Sequence, residues 1–252
     1  MSAPVDAQDT GPGTAVVTGG GTGIGLAIAR RLASRGNRVV IAGRRSEVLA
    51  RAGGELIPCT ADLSRPADVE ALAEFARAEL GTVGALVLNA GGAQHGPAET
   101  LTELAEHWRS TVDQNILSAV LPAHAFQPLL RRPGGRVVVV TSAAARAPGG
   151  GGEVAYASTK AALNRWIRTL ATELGPDGIT ANAVAPGFVP DTGLYGPSGA
   201  DPAWSERIGR GIAVGRTGTG EDIAAAVEYL VSPAAGFTNG TVLEVDGGVR
   251  TR

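Results

Sequence analysis

The sequence predicts one α/β domain organised around a doubly wound parallel sheet, and three observations carry that prediction. Seven short apolar runs recur along the chain: Ala15–Val17, Val39–Ile41, Leu56–Ile57, Leu86–Leu88, Val137–Val140, Ile179–Val184 and Val242–Val245. As a set they lack the regular polar alternation of half-exposed strands, so they suit strands covered on both faces. Alanine-rich amphipathic segments such as Pro66–Leu80 and Ala157–Leu174 lie between them. This β-α alternation requires right-handed crossovers and places helices on both faces of the sheet. The 252 residues, 44% of them hydrophobic, suffice for one such domain with a substantial core but not for two.

Bulk composition excludes several roles. With 22 basic and 24 acidic side chains the net charge is -2, so there is no basic footprint for nucleic acid or an anionic membrane surface. Small molecules and copies of the same chain are the expected partners. Cys59 is the single cysteine. It permits no intrachain disulfide, and it reads as a buried structural thiol or, alternatively, a reactive one. The start of the chain, MSAPVDAQDTGPGT, lacks the basic and apolar regions of a signal peptide. No apolar run approaches the roughly 20 residues of a membrane helix, so a soluble, cytoplasmic protein is expected. Residues 1–13 read as a frayed tail and 14–252 as the single domain.

Taken in order, the first strand runs into TGGGTGIG, Thr18 to Gly25, which holds five glycines in eight residues. Such a turn, opening a helix whose Ile24, Ile28 and Leu32 share one face, collects free amide groups and the positive end of a helix dipole. A phosphate fits there. Following a strand and starting a βαβ unit, the loop reads as a dinucleotide site, with Gly19, Gly21, Thr22, Gly23 and Ile24 as its contacts. After the second strand, an NAD-selecting site needs a carboxylate about 20 residues beyond the glycines. From Leu26 to Ser46 there is none, and Gly43-Arg44-Arg45 stands in its place. Arg44 and Arg45 match a 2′-phosphate, which favours NADP(H); the competing reading is two solvated surface arginines. After the third strand comes Asp62-Leu63. The fourth is followed by Asn89-Ala90-Gly91-Gly92, the fifth by Ser142, and the sixth by Pro186-Gly187. Between the fifth and sixth lies Tyr156-x-x-x-Lys160.

Those motifs, together with Thr18-Gly19-x-x-x-Gly23-x-Gly25, resemble the short-chain dehydrogenase/reductase family, and its ketoreductases and 3-oxoacyl reductases in particular. The resemblance covers about Thr14 to Gly248. It implies a seven-stranded Rossmann-type fold, a nicotinamide cofactor, hydride transfer between a ketone and a secondary alcohol, and a homotetramer or dimer. It also implies residue roles. Ser142 would hydrogen-bond the substrate oxygen, Lys160 would hold the nicotinamide ribose, and Asn115 would sustain a water-linked proton path through Lys160. Asp62 and Leu63 would lie near the adenine, with Asn89, Ala90, Gly91, Pro186 and Gly187 along the cofactor. The Val189 backbone would meet the nicotinamide amide and Thr192 the phosphates.

The chemistry of the residues agrees with the resemblance. Tyr156 and Lys160, four apart, share a helix face with Leu163, Ile167, Leu170 and Leu174. A lysine beside a phenol lowers the phenol pKa from about 10, making Tyr156 the expected general acid and base. Several alternatives stay open. Thr141 and Ala143 compete with Ser142, because the fourteen residues from Ser142 to Tyr156 exceed the family spacing by one, absorbed in Gly149–Gly152. Asn115 also reads as a helix-kink or capping residue, and Asp62 as a helix cap. Thr22 stands where NADP-preferring relatives often carry a base, which leaves 2′-phosphate recognition to Arg44 and Arg45.

The long Gly/Pro-bearing segment from Pro186 to about Arg216 reads as a loop, its part from about 188 to 216 as a substrate lid. Phe188, Leu194, Tyr195, Pro197 and Trp204 either line an apolar pocket there or pack on one another. His95, His107 and His124 have no metal-ligand spacing, and no metal is expected. Other functional readings of the same residues are an NAD-dependent alcohol dehydrogenase and a non-catalytic NADP-binding sensor.

Overall fold

A computed structural model describes residues 13–93, 98–146, 154–190, 192–195 and 201–249. The tail to residue 12, His95, Gly149–Gly152 and Pro197 lie outside the described residues. Each expected apolar run forms a strand: β1 (Thr14–Thr18), β2 (Arg38–Gly43), β3 (Leu56–Thr60), β4 (Ala85–Leu88), β5 (Arg136–Val140), β6 (Thr180–Pro186) and β7 (Val242–Val245). They pair in the order β3-β2-β1-β4-β5-β6-β7, every neighbouring pair parallel.

Alternate strand residues feed two cores. On one side Val16 and Leu86 pack with Leu72, Phe126, Leu163 and Ile167. These come from helices α3 (Pro66–Leu80), α5 (Ser118–Phe126) and α6 (Val154–Leu174), with α1 (Gly23–Ser34), α2 (Ser46–Arg51) and α4 (Leu101–Val112) completing the set to that point. On the other side Val17, Ile41 and Val87 pack with Ile28 and Leu32 of α1 and with Ile223, Val227 and Leu230. The last three belong to α8 (Gly220–Val231). Fully burying a side chain of this size contributes about 1.5–3 kcal/mol, so the two faces hold the sheet as one body.

Local signals set the helix ends. Pro66 occupies the first turn of α3, and Gly81 ends it with φ at 71°. The segment expected to be loop from Pro186 to Arg216 needs correction, because it contains α7 (Pro202–Gly209). Asp201 caps that helix by accepting from the Ala203 amide at 2.9 Å, and Pro202 starts it. Between α4 and α5, Asp113–Leu117 forms a π-helical turn that buries Asn115. No helix among the described residues is long and apolar enough to cross a membrane.

Strand order reverses between β1 and β4, so the connections from these two strands leave in opposite directions. A crevice therefore opens at their carboxyl ends.

Candidate active site

The crevice is a cleft of about 450 Å³ lined from the glycine loop and Arg44 and Arg45 at one end to Ser142, Tyr156 and Lys160 at the other. Gly19, Gly21, Thr22, Gly23 and Ile24 line it where α1 begins. The first turn of α1 contains no acid, and the Thr22 side chain makes no capping bond, so the positive end of the helix faces the cleft. Gly23 has φ at 52° and lies against Thr192, where a Cβ would come within 3.2 Å of Thr192 Cα.

Two of the loop glycines answer to the protein itself. A Cβ on Gly25 would sit 2.2 Å from the Gly19 carbonyl oxygen, and one on Gly20 would sit 2.7 Å from Ile41 Cγ2. Gly25 and Gly20 therefore let the loop close against its own Gly19 carbonyl and against β2, in addition to the pyrophosphate role expected from the sequence.

Asn89 braces that loop. Its Nδ2 donates to the Thr18 carbonyl at 3.0 Å and the Gly19 carbonyl at 3.3 Å. The Thr18 hydroxyl in turn accepts from the amides of Asn89 at 2.9 Å and Ala90 at 3.0 Å. One threonine and one asparagine therefore tie the ends of β1 and β4 together, with Ala90 and Gly91 lining the cleft beside them.

Arg44 and Arg45 are exposed at the exit of β2. Asp62 and Leu63 line the same end. Asp62 does not cap α3, whose N-cap is Arg65. Its Oδ1 accepts from the Ser64 amide at 3.1 Å and hydroxyl at 2.7 Å. Burial pushes the Asp62 carboxyl up, yet those Ser64 bonds, helped by Arg44 and Arg65, hold it below its usual range.

At the other end, α6 carries Tyr156 and Lys160 on its buried face, 8% and 3% exposed. Lys160 Nζ lies 5.6 Å from the Tyr156 ring centroid and donates to the Val140 carbonyl at 3.1 Å. Burial brings the Lys160 ammonium down to about 8. The Tyr156 phenol moves opposite to the sequence expectation. Burial pushes it up, and the Ser142 hydroxyl pulls against that.

Ser142 Oγ accepts from the Ala144 amide at 3.1 Å, which turns the chain after β5 and leaves the hydroxyl on the cleft wall. The competing Thr141 hydroxyl instead donates to the Val184 carbonyl at 3.2 Å, within the sheet. Asn115 does not line the cleft. It sits directly behind it, fully buried, with Nδ2 donating to the Gly92 carbonyl at 2.8 Å and Oδ1 accepting from the Gly92 amide at 3.2 Å. A Cβ on Gly91 would lie 2.7 Å from Asn115 Oδ1 and 3.1 Å from Lys160 Nζ, so these two groups meet beside Gly91. Asn115 is thus both the kink residue and a neighbour of the lysine.

Pro186, Gly187, Val189 and Thr192 line the lid side. The lid aromatics pack on one another: Phe188 lies 4.4 Å from Tyr195 and 4.9 Å from Trp204, centroid to centroid. Sequence reasoning missed Ser118, whose hydroxyl donates to the Gln114 carbonyl at 2.6 Å, and Gln114, both on the wall near Gly92. Their small polar side chains give no local signal. Cys59 is half-buried and its thiol is pushed up by burial, as for a structural thiol. Among the described residues, no group of three or more His, Cys, Asp or Glu side chains is placed to hold a metal.

Comparison with known proteins finds relatives along nearly the whole chain. A family model described as enoyl-(acyl carrier protein) reductase matches residues 19–250. A 7alpha-hydroxysteroid dehydrogenase of Escherichia coli is 32% identical over 241 residues, covering 93% of this chain and 92% of that enzyme. The solved RhlG/NADP active-site complex of Pseudomonas aeruginosa superposes with a TM-score of 0.84 at 31% identity, covering 94% of this chain and 95% of that one. A short chain dehydrogenase from Burkholderia cenocepacia in complex with NADP gives a TM-score of 0.84 at 35% identity, covering 96% and 99%.

Proposed function

Because this chain belongs to the short-chain dehydrogenase/reductase family, we propose that it is an NADP(H)-dependent oxidoreductase that reduces a ketone to a secondary alcohol. The observation that carries the reading is the convergence of Ser142, Tyr156 and Lys160 at one end of a cleft whose other end holds an uncapped helix terminus and two arginines.

The residues present fit a dinucleotide phosphate. The acid-free first turn of α1 favours the pyrophosphate, and Gly91 leaves space beside Lys160 and Asn115 that a side chain would fill. Gly19, Gly21, Thr22, Gly23, Ile24 and Thr192 would hold the phosphates. Arg44 and Arg45 would take the 2′-phosphate, and Asp62 and Leu63 the adenine. Asn89, Ala90, Gly91, Pro186, Gly187, Val189 and Lys160 would line the nicotinamide half. When bound, the reduced nicotinamide supplies hydride to the carbonyl carbon.

The chain's own groups supply the rest. Ser142 donates a hydrogen bond to the carbonyl oxygen and orients it toward Tyr156. The Tyr156 phenol gives its proton to that oxygen as negative charge grows there, and in the reverse direction takes one from the alcohol. Lys160 stabilises the phenolate left behind, in an enclosed site where that attraction is strong. Asn115 holds Gly92 and the π-helical turn next to Lys160, the position from which it would relay protons to that lysine.

A homo-oligomer, dimer or tetramer, is the matching assembly. Leu101, Leu104 and Trp108 leave an exposed apolar face on α4, and Phe237 is fully exposed before β7. Light scattering of the purified protein tests this, and a monomer at micromolar concentration would overturn it.

The reaction is tested by following NADPH consumption over a panel of aliphatic, aromatic and cyclic ketones, with wild type and Tyr156→Phe. Wild type should turn over part of the panel, and the variant should lose roughly 10²–10⁴-fold in kcat. A variant as active as wild type, or a wild type that binds NADPH yet reduces nothing, would overturn the reading.

A further inference from the structure

A second cavity, of about 310 Å³, shares Ser142, Pro186, Gly187 and Tyr195 with the cleft, so it opens onto the reacting groups. Its other walls include Ala144, Phe188, Ile208 and Ile212, and among its described lining residues Asp246 alone is charged. Burial, with the nearby Tyr156, pushes the Tyr195 phenol up to about 12, so that wall stays neutral across the working pH range.

Asp246 is held in place. Its Oδ1 accepts from the Gly248 amide at 2.9 Å, and its Oδ2 pairs with Arg146 at 3.4 Å. Arg146 is also paired with Glu244 at 2.6 Å. The guanidinium is thus divided between two carboxylates, and the three groups together carry net negative charge. An incoming carboxylate would meet the Asp246 side chain, 11% exposed on the chamber wall, where repulsion is less screened than at an open surface.

Resting on the ketone-reductase reading above, we infer that this chamber receives the apolar arm of an uncharged ketone and that Asp246 excludes ketones carrying a carboxylate there. The substrate class is thereby narrowed to neutral, largely apolar ketones.

The test compares methyl para-acetylbenzoate with para-acetylbenzoate, which share the aryl ketone and carry opposite it a neutral methyl ester in one case and a carboxylate in the other. Calorimetric titration at neutral pH measures binding to wild type, Asp246→Asn and Ile208→Lys, while NADPH oxidation is followed separately. Wild type should bind the ester about tenfold or more tighter than the acid. Asp246→Asn, which keeps an acceptor for the Gly248 amide, should shrink that ratio several-fold. Ile208→Lys, which places a cation on a half-buried wall position, should favour the acid.

Equal or tighter binding of the acid by wild type overturns the inference, as does an unchanged ratio in Asp246→Asn. Failure of the ester to bind, while other ketones are reduced, overturns it alone. Selective binding of the ester, with no NADPH oxidation on any ketone, supports the chamber and overturns the reductase reading instead.

Discussion

Replacing Lys160 by methionine should stabilise the protein while abolishing its activity. Enclosure in the fold lowers the lysine from 10.5 to about 8. The difference of about 2.5 units, at about 1.4 kcal/mol each, means the folded state forgoes roughly 3 kcal/mol by holding this ammonium at neutral pH. Methionine removes that cost. It also removes the donor to the Val140 carbonyl at 3.1 Å, and leaving a buried acceptor unpaired costs about 1–3 kcal/mol. The net gain is about 1 kcal/mol, or roughly 2–4 °C in Tm for a chain of this size.

The sign follows from proton counting. Between about 8 and 10.5 the unfolded chain binds more protons than the folded one, so wild-type stability rises with pH across that window. Below it both states are protonated and the full cost is present; above it both are neutral and the cost is gone. The methionine variant should therefore be the more stable below about pH 8 and lose that advantage toward pH 10.5. Urea unfolding at one fixed protein concentration, repeated at neutral and alkaline pH, measures this. A variant less stable than wild type at neutral pH, or a difference that does not change with pH, would refute the reasoning.

Three further outcomes are expected. Converting both Arg44 and Arg45 to alanine should weaken NADPH binding by about 10–100-fold in a fluorescence titration, with NADH binding nearly unchanged; equal losses for both cofactors would count against a 2′-phosphate site. Gly25→Ala places a methyl 2.2 Å from the Gly19 carbonyl oxygen, so the loop must move and nucleotide binding should be lost; wild-type affinity by calorimetry would contradict that packing. Asn89→Ala strips the Thr18 and Gly19 carbonyls of their donor, and unfolding should become about 1–3 kcal/mol easier. A change within about 0.5 kcal/mol, as for an ordinary surface site, would mean that the brace contributes nothing.

The strands were legible because short apolar runs without polar alternation suit strands covered on both faces of a sheet. α3 was legible to its ends, since Pro66 and Gly81 are start and stop signals with a backbone cause. Part of the cleft was legible too, because the glycine loop, Ser142 and Pro186-Gly187 follow strand ends, where the topology of such sheets gathers them. Tyr156 and Lys160 were marked by their helix spacing, and the remaining roles by the family resemblance. What stayed hidden depends on contacts across the fold. The bond from Asn89 to Thr18 spans 71 residues, so nothing in the neighbouring sequence announces it. The rise of the Tyr156 phenol comes from enclosure by other segments, which a helix spacing does not record. α7 was missed because PAWSERIG has too few apolar residues for a visible period, although Asp201-Pro202 marked its start. The turn at Asp113–Leu117 was legible only as a possible kink at Asn115; its π-helical form has no signal in DQNIL itself.

That turn makes the helical pair sensitive to length in a way that side-chain chemistry does not reveal. α4 buries Thr111 as its lone fully enclosed residue, whereas α5 buries Ser118, Ala119, Pro122, Ala123 and Phe126. A helix advances about 100° per residue, and the wider turn inserts one residue between the two faces. The turn works as a phase shifter. Deleting any single residue of Asp113–Leu117 would rotate α5 by about 100° against α4, swinging Phe126 out of the core or Asn115 away from Gly92. Point substitutions here alter one contact, but an insertion or deletion shifts the frame of the whole helix. Length variants should therefore be tolerated in the lid and rejected at this turn.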